Sequence, residues 1–193
     1  MKRFLLAIFL LATLSVSADE RGEARLNRIA THYSALGNYT VEFVLRVGGG
    51  EQRGEMIVAG DNSYMKVGDT EVYVEGNLRY EVRASSKEII IDKADLYEKE
   101  LLNLAGGLST VKRDYNVEEC VVGGAAALRL TPKMSGETIY IITGSDGASI
   151  SKLQYASGDN RAELSVTRCQ KRTTSIPTFS KDRYKGFDLI DFR

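Results

Sequence analysis

Few side chains in this sequence are of a type that does chemistry, and their spacing does not bring them together. The sole histidine, His32, sits on a stretch of helical period with no evident partner, so neither catalysis nor metal binding is expected of it. A cysteine nucleophile needs a nearby base, and for Cys120 or Cys169 that base could only be the distant His32. Asp182, Asp188 and Asp191 crowd the end of the chain but read as turn and solvent-face residues, whereas general acid–base work needs carboxyls that converge in a pocket. Gly48-Gly49-Gly50 is not a phosphate cradle, because no Lys-Ser/Thr pair or helix follows it. The residues predict no catalytic centre, no metal site and no cofactor, and the protein is not expected to be an enzyme.

What must carry function is therefore the arrangement of apolar side chains. The 193 residues, 43% hydrophobic and 27% charged, suit one well-cored globular domain. Lys2 and Arg3, the apolar run from Phe4 to Leu14 and Val16-Ser17-Ala18 read as a secretory signal at residues 1–18, cleaved before Asp19 to leave a single domain over 19–193. The apolar run is short of the ~20 residues a membrane span needs, which predicts a soluble, exported protein. The 26 basic and 26 acidic residues are interspersed, leaving no electrostatic footprint for nucleic acid. In an oxidising compartment Cys120 and Cys169 are expected to pair, closing a loop of about fifty positions for roughly 4 kcal/mol on the chain-entropy argument. The alternative is two unpaired thiols.

Glu23 to Leu36 places Leu26, Ile29, Ala30, Tyr33 and Leu36 at helical spacing, with Gly37-Asn38 as a stop. From Tyr39 the period becomes two: Tyr39, Val41, Phe43, Leu45 and Val47 alternate with Thr40, Glu42, Val44 and Arg46, and the three glycines turn the chain into a second strand carrying Met56 and Val58. Short strands continue through Ser63 to Val67, Thr70 to Val74, Leu78 to Arg83 and Lys87 to Ile91. A Leu-rich second helix is predicted from Ala94 to Ala105, capped by Asp92 or Asp95 and ended by Gly106-Gly107. Strands resume at Val111 to Val117, Cys120 to Val122, Ala126 to Leu130, Thr138 to Thr143, Ser149 to Ala156 and Arg161 to Thr167. So many meandering strands must manage their edges by closing or curving strongly. The expected class is mainly β: an incomplete, curved antiparallel barrel of about eleven strands, with helices able to cover its apolar face.

The run "LRLTPKMSGETIYIITGSDGASISKLQYASGDNRAELSV" (Leu128 to Val166) resembles the corresponding strands of LolA, the periplasmic lipoprotein carrier family, in which Leu-Thr-Pro-Lys precedes a strand, an Asp-Gly turn and two further strands. "LNRIATHYSALGNYTVEFVLRV" is similar to that family's opening helix and first long strand. "RGEMIVAGDNSYMKV" is similar to its second and third strands, and "TFSKDRYKGFDLID" (Thr178 to Asp191) to its closing segment. The resemblance implies a helical lid over a hydrophobic cavity that receives lipoprotein acyl chains crossing the periplasm. It also implies, as partners, acylated lipoproteins, an inner-membrane lipoprotein-releasing ABC transporter and an outer-membrane lipoprotein acceptor, the carrier itself being monomeric. A non-enzymatic sensing adaptor of the envelope, built on the same fold, is the alternative.

Where that family carries Arg-Pro between its second and third strands, this chain reads Ala59-Gly60-Asp61-Asn62, so its lid must latch by other means or open more freely. The expected cavity residues are Val41, Phe43, Leu45, Met56, Val58, Leu78, Tyr80, Ile89, Ile91, Leu128, Leu130, Ile139 and Ile141, with Ile29, Tyr33, Leu101 and Leu102 on the lid. Apolar surface alone can supply the affinity: roughly fifteen buried methylenes are worth on the order of 12 kcal/mol at ~0.8 kcal/mol each.

Overall fold

The structure, a computed structural model, describes residues 18–94, 108–134, 137–157 and 160–193. Helix α1 (Ala18–Leu36) opens it, starting earlier than Glu23, and ends where Gly37 adopts a left-handed φ of 68°. Six strands follow as a meander: β1 (Tyr39–Val47), β2 (Gly50–Ala59), β3 (Asn62–Val67), β4 (Thr70–Glu75), β5 (Leu78–Arg83) and β6 (Glu88–Lys93). After a short helix α2 (Ser109–Asp114) come β7 (Tyr115–Val122), β8 (Ala125–Pro132), β9 (Thr138–Thr143), β10 (Ile150–Ser157) and β11 (Asn160–Lys171). A 3₁₀ turn (Lys181–Tyr184) and β12 (Asp188–Asp191) close the chain.

All twelve strands form one curved sheet in the order β12-β6-β5-β4-β3-β2-β1-β11-β10-β9-β8-β7. Its ends, β12 and β7, do not pair with each other, so the barrel is incomplete as expected. Neighbours are antiparallel except β12, which adds parallel to β6. The long β1 joins the two halves, pairing with β2 on one side and β11 on the other. A bulge between Glu42 and Phe43 realigns it against β11.

The expected strand from Val111 to Val117 is corrected. Ser109–Asp114 is helical, its one apolar side chain, Val111, fully buried, and β7 runs unbroken from Tyr115 through Cys120 to Val122. A lone apolar residue in "STVKRD" satisfies either period, and packing decides for the helix. The expected helix beyond Ala94 and the signal segment up to Ser17 lie outside the described residues; Ala94 itself is not helical, and Ala18 already belongs to α1. Among those described, no helix is long and apolar enough to cross a membrane.

Two apolar clusters lie on opposite faces of the sheet. On the α1 side, Leu26, Ile29 and Tyr33 of the helix pack with Val41, Phe43, Val58, Leu128, Leu130, Ile139 and Ile141. On the far side, Ile57, Tyr64, Tyr73, Val82, Ile89 and Ile91 are covered by Ile176, Phe179, Tyr184 and Phe187 of the C-terminal segment. Phe179 stacks on Tyr80 with ring centroids 4.2 Å apart and planes 10° apart. Glu71 fixes this segment to β4, accepting hydrogen bonds from the hydroxyls of Tyr73 at 2.5 Å and Tyr184 at 2.7 Å.

Candidate functional site

Alternation along β1 sends Tyr39, Val41 and Phe43 to the α1 side, and the ladder carries that orientation to neighbouring strands: Val41 lies opposite Met56, Met56 opposite Met65, and Leu164 opposite Leu153. Phe43 lies opposite Gly54, and a Cβ at Gly54 would stand 2.5 Å from the Phe43 ring. The glycine is what lets the ring lie across β2. Together with Tyr33 of α1 these side chains enclose a cavity of about 80 Å³. Its wall comes from Tyr33, Tyr39, Val41, Phe43, Met56, Met65, Ile141, Ile150, Leu153, Leu164 and Val166. The two methionines give one wall unbranched, polarisable side chains that adapt to irregular shapes.

Of the expected cavity residues, Val41, Phe43, Met56 and Ile141 line this pocket, as does Tyr33 of the lid. Leu45, Val58, Leu128, Leu130, Ile139 and Ile29 share the same face and cluster but serve as surrounding core. Leu78, Tyr80, Ile89 and Ile91 do not belong to it. Tyr80 pairs with Tyr73 and Ile91, and Tyr73 with Tyr64, which pairs with Ile57. Ile57 alternates with Met56 and Val58, so this whole row, and Leu78 with it, faces away from α1. The α1 side of β5 carries Arg79, Glu81 and Arg83 instead, with the Glu81 carboxylate accepting from both guanidiniums at 2.6 Å. That charged strip bounds the apolar face. Leu101 and Leu102 lie outside the described residues.

Tyr39, Met65, Ile150, Leu153, Leu164 and Val166 were not among the expected cavity residues. Met65 is reached by following Met56 across the ladder, and Leu153, Leu164 and Val166 by the same period of two.

The lid has a polar fastening of its own. Arg25 donates to the Glu119 carboxylate on β7 at 3.2 Å and to the Thr143 hydroxyl on β9 at 3.0 Å. Its Nε is buried and, among the described residues, has no partner. Lys112 of α2 donates to the Asn27 side chain at 2.5 Å. Gly22 brings the helix backbone onto β7 so closely that a Cβ there would fall 2.0 Å from the Val117 carbonyl oxygen. Arg25 thus ties α1 to β7 and β9, while the turn between β2 and β3 carries no basic residue.

The disulfide expectation is corrected. Both cysteines are free. Cys120, on β7, shares the far side with its partner Ala127, whereas Cys169, on β11, faces the α1 side opposite Val41. Three strands separate them, about 19 Å at ~4.8 Å per strand, against the ~7 Å limit between bridged Cα atoms. Burial pushes the Cys169 thiol pKa up, which disfavours the nucleophilic thiolate. His32 meets the edge of the Tyr33 ring at 5.3 Å. No three His, Cys, Asp or Glu side chains converge among the described residues.

No family model matches the chain, and no curated protein matches its sequence. In structure it is similar to an uncharacterised conserved protein from Thermus thermophilus, at 9% identity and a TM-score of 0.55, over 89% of this chain and 99% of that one. Two further similarities are to the Pseudomonas aeruginosa MucA/MucB complex structure (16% identity, TM-score 0.47, 86% of this chain and 61% of that one) and to LprF from Mycobacterium bovis (13%, 0.45, 84% and 98%). The Thermus protein shares the fold of this chain.

Proposed function

We propose that this protein is a non-catalytic, exported carrier of acyl chains, similar in role to the LolA carriers, which takes lipoprotein lipid at one envelope membrane and yields it at the other. The observation that supports this is a pocket walled by aliphatic, methionine and aromatic side chains, directly beneath a helix fastened by few polar contacts. At about 80 Å³ the pocket is well below the ~300 Å³ of sites that bury a whole small ligand. It takes the end of a chain as it stands, and a long chain requires α1 to move outward. Each methylene buried contributes about 0.8 kcal/mol, set against the Arg25 contacts to Glu119 and Thr143 and the packing of Leu26, Ile29 and Tyr33 that opening would release. A long chain offsets these contacts, and regaining them on closing favours release. The acceptor and the ABC transporter implied by the resemblance are its partners in this reading.

Native mass spectrometry of the protein with a synthetic triacylated lipopeptide tests the proposal. A one-to-one complex is expected, lost in Leu164→Asp while Tyr80→Ser binds as the parent does. A mass of protein alone at every concentration, from a preparation shown to be folded, overturns it.

A further inference from the structure

Tyr33, like Tyr39, brings to the pocket wall a phenol that hydrocarbon alone does not require. The side chain lines the cavity and is only 2% exposed. Its hydroxyl oxygen accepts a hydrogen bond from the Ile150 backbone N–H at 3.2 Å. That N–H sits where the β9–β10 register slips between Ile150 and Lys152, so covering a bulge explains why an acceptor stands here. It does not explain the hydrogen. A phenol both donates and accepts, and among the described residues no acceptor takes the Tyr33 O–H. A buried donor without a partner is costly. Burial also pushes the Tyr33 pKa up to about 12, so the proton stays on and remains available to donate at any physiological pH.

We infer that the Tyr33 hydroxyl is the polar anchor of the pocket, donating its hydrogen to the carbonyl oxygen of an acyl ester or amide whose chain lies against Phe43, Met56 and Leu164. The inference rests on the acyl-carrier reading and narrows it: the preferred ligand is an acyl group held at its carbonyl end rather than any hydrocarbon of suitable length. Ile150 and Tyr33 then act together, the amide orienting the hydroxyl and the hydroxyl addressing the ligand.

The experiment is displacement of bound N-phenyl-1-naphthylamine by methyl decanoate and by dodecane, chains of equal length with and without a carbonyl. Each apparent affinity is referred to the solubility of the competitor in water. In the parent protein the ester is expected to be favoured about three- to tenfold, the range of one neutral hydrogen bond. Tyr33→Phe is expected to abolish that preference while leaving dodecane unchanged. Both competitors are measured on the same preparation, so the ratio is insensitive to a change in folded fraction. Tyr33→Leu serves if the phenylalanine variant loses its near-ultraviolet circular dichroism. An ester preference that survives the substitution overturns the inference, as does an equal loss for both competitors, and either leaves the carrier reading intact. Failure of the parent to bind the probe and both competitors overturns the carrier reading and the inference with it.

Discussion

Replacing Gly22 by alanine tests the docking of α1 through the sign of its effect. In an exposed helix interior, Gly→Ala stabilises by about 1 kcal/mol through backbone entropy. Here the added methyl would lie 2.0 Å from the Val117 carbonyl oxygen, 2.5 Å from its carbon and 3.0 Å from the Glu118 nitrogen. These are backbone atoms of β7, which cannot rotate away, so helix and strand must separate by about 1 Å to reach the 3.0 Å below which real Cβ contacts essentially do not occur. Overpacking of this kind costs typically 1–3 kcal/mol. Less the propensity gain, Gly22→Ala is expected to destabilise by up to about 2 kcal/mol, measured by urea denaturation. Faster hydrogen exchange in β7 and faster entry of ligand beneath a loosened lid should accompany it. Stabilisation by about 1 kcal/mol would refute the docking, because it is the result for a helix that does not touch β7.

Other perturbations read different parts of the molecule. Gly54→Ala drives a methyl into the Phe43 ring and to 2.9 Å from the Lys66 carbonyl oxygen, and is expected to push the ring into the pocket, lowering both stability and acyl-chain binding, the latter read by titration with a fluorescent fatty acid. Phe43→Ala removes a buried ring, with an expected cost of about 3–5 kcal/mol without ligand, part of it recovered with a saturating alkyl ligand in thermal melts. Burial raises the Glu71 pKa, but the hydrogen bonds from Tyr73, Tyr184 and Lys66 outweigh it and hold the group below the ordinary 4.5. Its folded pKa is thus depressed, so its contribution is complete above about pH 4.5 and lost as pH falls through the folded value; tyrosine fluorescence should report release of the C-terminal segment there in the parent and not in Glu71→Gln. Iodoacetamide should alkylate both cysteines of the unfolded protein without any reductant, whereas a disulfide would block both.

Strand existence was legible because polar and apolar residues alternate cleanly in β5 and nearly so in β1, and because β9 is a short run of β-branched and aromatic residues. The face each strand presents was not. Leu78, Tyr80 and Val82 carry as strong a signal as Val41, Phe43 and Leu45, yet the ladder sends the first set away from α1, where Phe179, Tyr184 and Phe187 of the last twenty residues cover them. A period of two fixes which residues share a face within a strand; only register fixes it between strands. The same ignorance of register made Cys120 and Cys169 look like partners. Tyr33 was legible as a buried helix residue from its spacing with Ile29 and Leu36, but its hydroxyl acquires meaning only beside the bulge at Ile150. Arg25 shows no signal in sequence beyond its place on a helix, since Glu119 and Thr143 are distant in the chain.

The most direct test of acyl binding beneath α1 is photocrosslinking with a palmitoyl ester carrying a diazirine near the chain terminus, followed by peptide mapping of the folded protein. Labels are expected on Tyr33 to Phe43, Met56 to Met65 and Ile150 to Val166, suppressed by excess unlabelled ester. Labels confined to Tyr80, Ile89 and Phe179 on the far side, or labelling that excess ester does not suppress, would contradict it.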